Sequence, residues 1–182
     1  MDLDFLYSEY VGVSDSLGLS LVDHVMLASV KHQAINHFQY GKRVKAYVMS
    51  SSKRPPSCVE GSLGTPWGLH EVCEKIGGGE ALGMVFEGRE SIGLRYWECE
   101  SEKRKKNLIT TRILRLKGLQ PGINSGGKVD TYDRYVYVHG TNHEDKLGTP
   151  SSSGCLQMRN KEVLELFDIV PVGTHLYVSL ER

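Results

Sequence analysis

Apolar side chains recur with a period of two, in short runs bounded by glycine, proline and serine. That pattern builds β-strands and leaves little length for helices. Val44, Ala46 and Val48 alternate with Arg43, Lys45 and Tyr47. Val136 and Val138 alternate with Tyr135 and Tyr137 in a half-buried strand predicted over Tyr132 to His139. Leu176, Val178 and Leu180 alternate with His175, Tyr177 and Ser179 in a closing strand. HVMLASV and AINHF, followed by the turn Tyr40-Gly41-Lys42, open a hairpin or meander after Asp23. Leu108 to Leu116 reads as a strand, Ala81 to Arg89 as a short one, and Thr65 to His70 as the entry to another. One stretch breaks the period: Val163, Leu166, Phe167 and Val170 fall at i, i+3, i+4 and i+7. They form the stripe of one short helix, with Asn160 as N-cap and Pro171 and Gly173 at its end. Residues 1–22, interrupted by Gly12, Gly18 and serines, read as a loosely structured lead-in with room for one short helix or strand. At 182 residues, 23–182 makes a single mainly β domain.

Charge narrows the function. Lys+Arg and Asp+Glu are 22 each, and that balance argues against a nucleic-acid binder, which is ordinarily basic. The run Lys103 to Lys106 reads as a solvated tip, and Glu90 to Lys106 as an exposed excursion in which Tyr96 and Trp97 pack over the core or line a groove. No apolar run is long enough to span a membrane. Gly77-Gly78-Gly79 lacks the spacing and the lysine of a phosphate loop. Cys58, Cys73, Cys99 and Cys155 include no C-x-x-C pair, and neither a metal nor a cofactor is implied.

The chemistry concentrates between Tyr135 and Asn160. A strand ends in His139-Gly140-Thr141, and a polar loop with Gly148, Pro150 and three serines leads to Gly154-Cys155. A lone cysteine is ordinarily a small buried hydrophobe, and a lone histidine a structural residue. A histidine at a strand end and a cysteine beside a glycine form a different pattern. A thiol becomes nucleophilic when an imidazole takes its proton or faces its thiolate. His70 is a second histidine in reach of such a site, read here as an outward-facing strand residue.

HGT followed by SSGCLQM resembles the L,D-transpeptidase catalytic domain, the YkuD family, whose pattern is His-Gly-Thr, a loop, then Ser-His-Gly-Cys-(Ile/Val)-Arg-(Met/Leu). Ser153 stands where the family has histidine, and Gln157 where it has arginine. The resemblance runs from Val44 to Val178, includes Thr65-Pro66-Trp67-Gly68, and is densest from Leu108. It implies an L,D-transpeptidase-like β-sandwich with one short helix after the cysteine loop. It implies Cys155 as nucleophile, His139 as base and the Gly140 carbonyl as orienting acceptor. The amides of Ser153, Gly154 and Cys155 would form the oxyanion hole, with substrate contacts at Ser152, Gln157, Thr141 and Arg134. Glu144 and Asp145 are expected to be solvated. The implied substrate is a peptidoglycan stem peptide, and the implied product a 3→3 cross-link. Hydrolytic trimming, another cell-wall amidase and a weakly active wall-binding domain are the alternatives. The resemblance implies the cell envelope or periplasm. The acidic opening MDLDFLYSEY does not read as a signal peptide, which leaves a processed or a cytoplasmic form open.

Overall fold

A computed structural model describes residues 1–180; the last two residues of the expected 23–182 domain lie outside the described residues. The strands are β1 (His24–Ser29), β2 (Ala34–Gln39), β3 (Lys42–Ser50), β4 (Gly68–Ile76), β5 (Met84–Glu87), β6 (Glu90–Arg95), β7 (Ile109–Gly118), β8 (Tyr137–Gly140), β9 (Leu156–Met158) and β10 (His175–Ser179). The α-helices are α1 (Leu3–Ser16), the single-turn α2 (Ser101–Arg104) and α3 (Asn160–Ile169).

The strands form one sheet, ordered β4-β10-β1-β2-β3-β9-β8-β7-β5-β6. A further β4–β7 pairing joins its two sides. The mainly β architecture is therefore a mixed barrel and sandwich, closed along that seam, with the β5–β6 hairpin extending from β7. Closure removes edges that would otherwise expose unpaired amides. Inside lies the main core, with Met26, Ile35, Met49, Leu114, Val138 and Leu156 among its fully buried members. The apolar stripe of α3 seals it through Val163, Leu166 and Phe167.

Three expectations change. Residues 1–22 hold more than a loose lead-in with one short element: Leu3–Ser16 is a 14-residue helix capped by the Asp2 carboxylate, which accepts from the Phe5 amide at 3.0 Å. Leu6 and Tyr10 bury against Val25, Leu27, Phe38 and Leu69 on the outer face of the sheet. The Tyr10 hydroxyl also meets His175 Nδ1 at 3.0 Å. Strand β8 begins at Tyr137, five residues later than expected from Tyr132. Tyr135 sits at φ +55° in the preceding turn. Nor is β8 half-buried: Tyr137, Val138 and His139 are all buried, because the β5–β7 layer covers the face opposite the core. The basic run does end in an exposed tip, where Lys103 pairs with Glu87 at 2.8 Å.

Docking of α1 is a packing claim with a measurable sign. Leu6→Ala should cost about 2–4 kcal/mol in denaturant unfolding, the usual range for a buried leucine. Phe5→Ala, at a side chain 55% exposed, should change little.

Candidate active site

Parallel pairing of β8 with β9 builds the site. The register sets Val138 beside Leu156, His139 beside Gln157 and Gly140 beside Met158. Paired residues share a face and alternate residues change face. Val138 and Leu156 therefore enter the core, while Tyr137, His139, Cys155 and Gln157 take the opposite face. Cys155 lies at the start of β9, one diagonal step from His139.

His139 is buried, and its Nδ1 lies 2.6 Å from the Gly140 carbonyl. A carbonyl only accepts, so Nδ1 carries the proton and Nε2 keeps its lone pair. Burial lowers the His139 pKa from about 6.5 to about 4, against the smaller upward pull of that carbonyl. Burial likewise raises the Cys155 thiol to about 11, against the Tyr137 amide and the Arg134 charge. At neutral pH the pair is imidazole and thiol, not an ion pair. The Tyr137 amide donates to Cys155 Sγ at 3.4 Å, and the thiol points to the Tyr135 carbonyl at 3.7 Å. No hydrogen bond joins Cys155 to His139 among the described residues.

The nucleophile loop is pinned from within. Ser152 Oγ donates to the Cys155 carbonyl at 2.6 Å and accepts from the Gly154 amide at 3.2 Å. Gly154 stands at φ +129°, where a side chain would be strained. Ser151 and Ser152 amides both donate to the Ser51 carbonyl, at 2.9 and 3.0 Å. A cleft of about 270 Å³ opens over this turn, lined by Leu63, Arg134, Tyr135, Ser153, Gly154 and Cys155.

The expected site residues thus separate into two groups. Cys155, Ser153, Gly154 and Arg134 meet at the cleft. The Gly154 amide, expected in an oxyanion hole, is instead engaged by Ser152 inside the turn. Ser152, Gln157 and Thr141, expected as substrate contacts, are buried in the scaffold. Gln157 Oε1 accepts from Ser151 Oγ at 2.8 Å. Thr141 Oγ1 accepts from the His143 amide at 3.1 Å. Arg134 holds the cleft's far wall: Nη1 donates to the Ser57 carbonyl at 3.0 Å, and Nη2 to that of Gly64 at 2.7 Å. His70 faces inward rather than outward, with its ring nitrogens on Gly68 O and Thr131 Oγ1 at 3.0 and 3.1 Å. Burial lowers its pKa to about 4.

Asn160 is not the expected N-cap: it is the first residue of α3, with Arg159 in the capping position. Its Oδ1 accepts from the Thr110 and Thr111 hydroxyls at 2.6 and 2.5 Å. Its Nδ2 donates to the Thr141 carbonyl at 2.8 Å and to Glu144 Oε1 at 2.7 Å. Glu144, expected to be solvated, also accepts from the Asn160 amide at 2.7 Å. A carboxylate at a helix start is favourably placed against the helix dipole. Gly140 lies against this node. A Cβ there would meet Asn160 Oδ1 at 2.6 Å and the Thr110 carbonyl at 2.7 Å.

A strand-borne imidazole with its rear nitrogen fixed lies on the same face as a loop-borne thiol, an arrangement suited to cysteine nucleophile chemistry. Comparison with known proteins names the class: residues 23–178 match the L,D-transpeptidase catalytic domain, YkuD, and the chain belongs to that family. YqjB and YkuD of Bacillus subtilis strain 168, each provisionally named an L,D-transpeptidase, are 43% identical over 49 residues and 38% over 61. These matches span 27% and 31% of this chain, and only 28% and 37% of the relatives. The fold is shared with an L,D-transpeptidase from Xylanimonas cellulosilytica: TM-score 0.54, 19% identity, 88% of this chain and 62% of that one. The Enterococcus faecium L,D-transpeptidase gives TM-score 0.54 at 16% identity, over 87% and 50%.

Gly140→Ala should destabilise the protein by about 1–3 kcal/mol through overpacking, read as a shift of the denaturation midpoint. A second measurement follows from the buried histidines. Their folded pKa values lie below the unfolded value near 6.5, so the unfolded chain binds protons first as pH falls. Stability should be full above about pH 6.5 and decline toward pH 4. Each histidine contributes on the order of 3 kcal/mol to that decline. Melting temperature against pH, with His70→Asn alongside, reads the effect; the variant should show a shallower slope.

Proposed function

We propose that this chain is a cysteine-dependent L,D-transpeptidase of the cell envelope, acting on peptidoglycan stem peptides. One observation carries the reading: Cys155 and His139 share one face of the parallel β8–β9 pair, and His139 Nδ1 is held by the Gly140 carbonyl. Nε2 takes the thiol proton as Sγ attacks the carbonyl of the third stem residue. The amides of Ser153 and Cys155 receive the developing oxyanion, and each such donor is worth about 3 kcal/mol in acyl-transfer sites. The imidazolium then protonates the departing amine, D-alanine leaves, and a thioester remains. An amine from a second stem attacks the thioester and loses its proton to Nε2. Collapse of that intermediate expels the thiolate, which recovers the proton, and a 3→3 cross-link results.

A second reading has its own support. The Cys155 thiol sits at about 11 and is engaged by Tyr135 and Tyr137. A thiol so held favours a wall-binding domain with little turnover. Water as acceptor gives a third outcome, tripeptide trimming.

Disaccharide-tetrapeptide muropeptides, incubated with the protein and with Cys155→Ala, separate these by mass spectrometry. Cross-linked dimers lacking one D-alanine are expected from the wild-type protein, at least about a thousandfold faster than from the variant. Tripeptide alone would make the chain a carboxypeptidase. Binding of muropeptide to both proteins without product would replace catalysis with wall binding.

A further inference from the structure

Arg89 occupies a position that its residue type does not favour. Gly88 and Arg89 form the two-residue turn of the β5–β6 hairpin, at φ +56° and +72°. Glycine, asparagine and aspartate are the usual occupants of such a turn. A long charged side chain in the left-handed region costs stability, and such outliers cluster at functional sites.

The arginine is held, but not neutralised. Its Nη1 donates to Tyr137 Oη at 3.3 Å, and its Cζ lies 5.0 Å from the centre of the Tyr135 ring. On that same ring, Arg115 Cζ lies at 5.5 Å, and it stacks at 3.4 Å on Tyr132. Glu74 closes the far end, accepting from Tyr132 Oη at 2.8 Å and pairing with Arg115 at 3.2 Å. Arginine and tyrosine thus alternate in one stack, and the carboxylate sits at the Arg115 end. Among the described residues, Arg89 has no ion-pair partner.

Both tyrosines that hold Arg89 also hold the nucleophile. Tyr135 offers its carbonyl to the Cys155 thiol, and Tyr137 donates its amide to Cys155 Sγ. Tyr135 also lines the cleft over Cys155. Arg134, the arginine that lines the cleft, spends its guanidinium on the Ser57 and Gly64 carbonyls; Arg89 reaches the cleft's edge only through Tyr135. A guanidinium without a direct ion pair, with the Glu74 carboxylate acting on it only through space and two tyrosines linking it to the Cys155 thiol, can receive a carboxylate.

We infer that Arg89 recognises a free carboxylate of the donor peptide next to the bond that Cys155 breaks, and so sets which donor is used. This rests on the proposed transpeptidase reading. Two carboxylates flank that bond in a stem ending in D-alanine: that of the leaving residue, and that on the side chain of a third-position diamino diacid.

Three synthetic tetrapeptide donors decide between them: one with both carboxylates free, one amidated at the C-terminus, one amidated on the third side chain. Wild type, Arg89→Ala, Arg89→Gln and Arg89→Lys are assayed for kcat and KM. For the donor with both carboxylates, Arg89→Ala and Arg89→Gln should raise KM about tenfold with a smaller change in kcat, and Arg89→Lys should recover part of the loss. Amidation of the recognised carboxylate should raise the wild-type KM by the same factor, and the Arg89 variants should add nothing to it. Equal effects of Arg89→Ala on all three donors, or no effect, would overturn the inference. The same peptides are titrated onto Cys155→Ala with and without Arg89→Ala. An Arg89-dependent preference for the acid there, without turnover by wild type, would remove the transpeptidase reading and keep the receptor. Equal affinity for acid and amide would remove the receptor whatever the turnover.

Discussion

The site depends on two adjacent strands running in the same direction. Parallel neighbours cannot be joined by a tight hairpin, so the chain must leave the end of β8 and return to its start. That return is Thr141 to Cys155, and it delivers the cysteine at the one end of β9 that lies beside β8. The crossover is long and polar, so it needs anchoring from outside itself. Asn160 supplies one anchor, bonding two threonine hydroxyls of β7, the Thr141 carbonyl and Glu144. The serines supply the other, with Ser151 and Ser152 on the Ser51 carbonyl. An unpaired member of such a buried network would cost more than its bond contributes, which makes the whole node cooperative.

Protonation follows from the same packing. Covering β8 on both faces removes water from His139 and leaves Cys155 only half-buried at the cleft, and a low-dielectric site disfavours whichever form is charged. Burial thus favours imidazole and thiol over an imidazolium–thiolate pair. The Tyr137 amide and the Arg134 guanidinium oppose the burial of the thiolate, but burial remains the larger effect. Such a site trades resting reactivity for a base that is unprotonated at neutral pH and fixed in one tautomer by Gly140.

Much of this was legible where the signal was local. Period two marked β3, β8 and β10, an apolar-rich run marked β7, and the i, i+3, i+4, i+7 stripe marked α3. Helix α1 carried the same kind of signal, in Leu3, Leu6, Tyr7 and Tyr10 behind an Asp2 cap, but Gly12 and the serines obscured it. The β4–β7 seam had no local mark, because it pairs His70 with Gly118 across 48 positions. The reach of Asn160 was hidden for the same reason: its threonine partners lie 50 and 49 residues away. His70 was read outward from its polarity, whereas Gly68 and Thr131 satisfy both ring nitrogens and let the ring be buried. Gly140 was singled out for its carbonyl. Its lack of a side chain matters equally, since Asn160 and Thr110 occupy the space a Cβ would fill.

The two departures from the family pattern have different consequences once placed. Ser153 is exposed at the cleft, so loss of an imidazole there changes the surface that a substrate meets. Gln157 is buried against Ser151, far from a role as a substrate cation. A neutral amide suits that position, because a guanidinium there would need a counter-charge, and the contact made is a neutral hydroxyl. Replacing arginine by glutamine therefore removes no charge from the cleft of this chain. Among the cleft-lining residues the positive charge is that of Arg134, spent on carbonyls, while Arg89 sits outside that lining, carried on tyrosines that also touch Cys155.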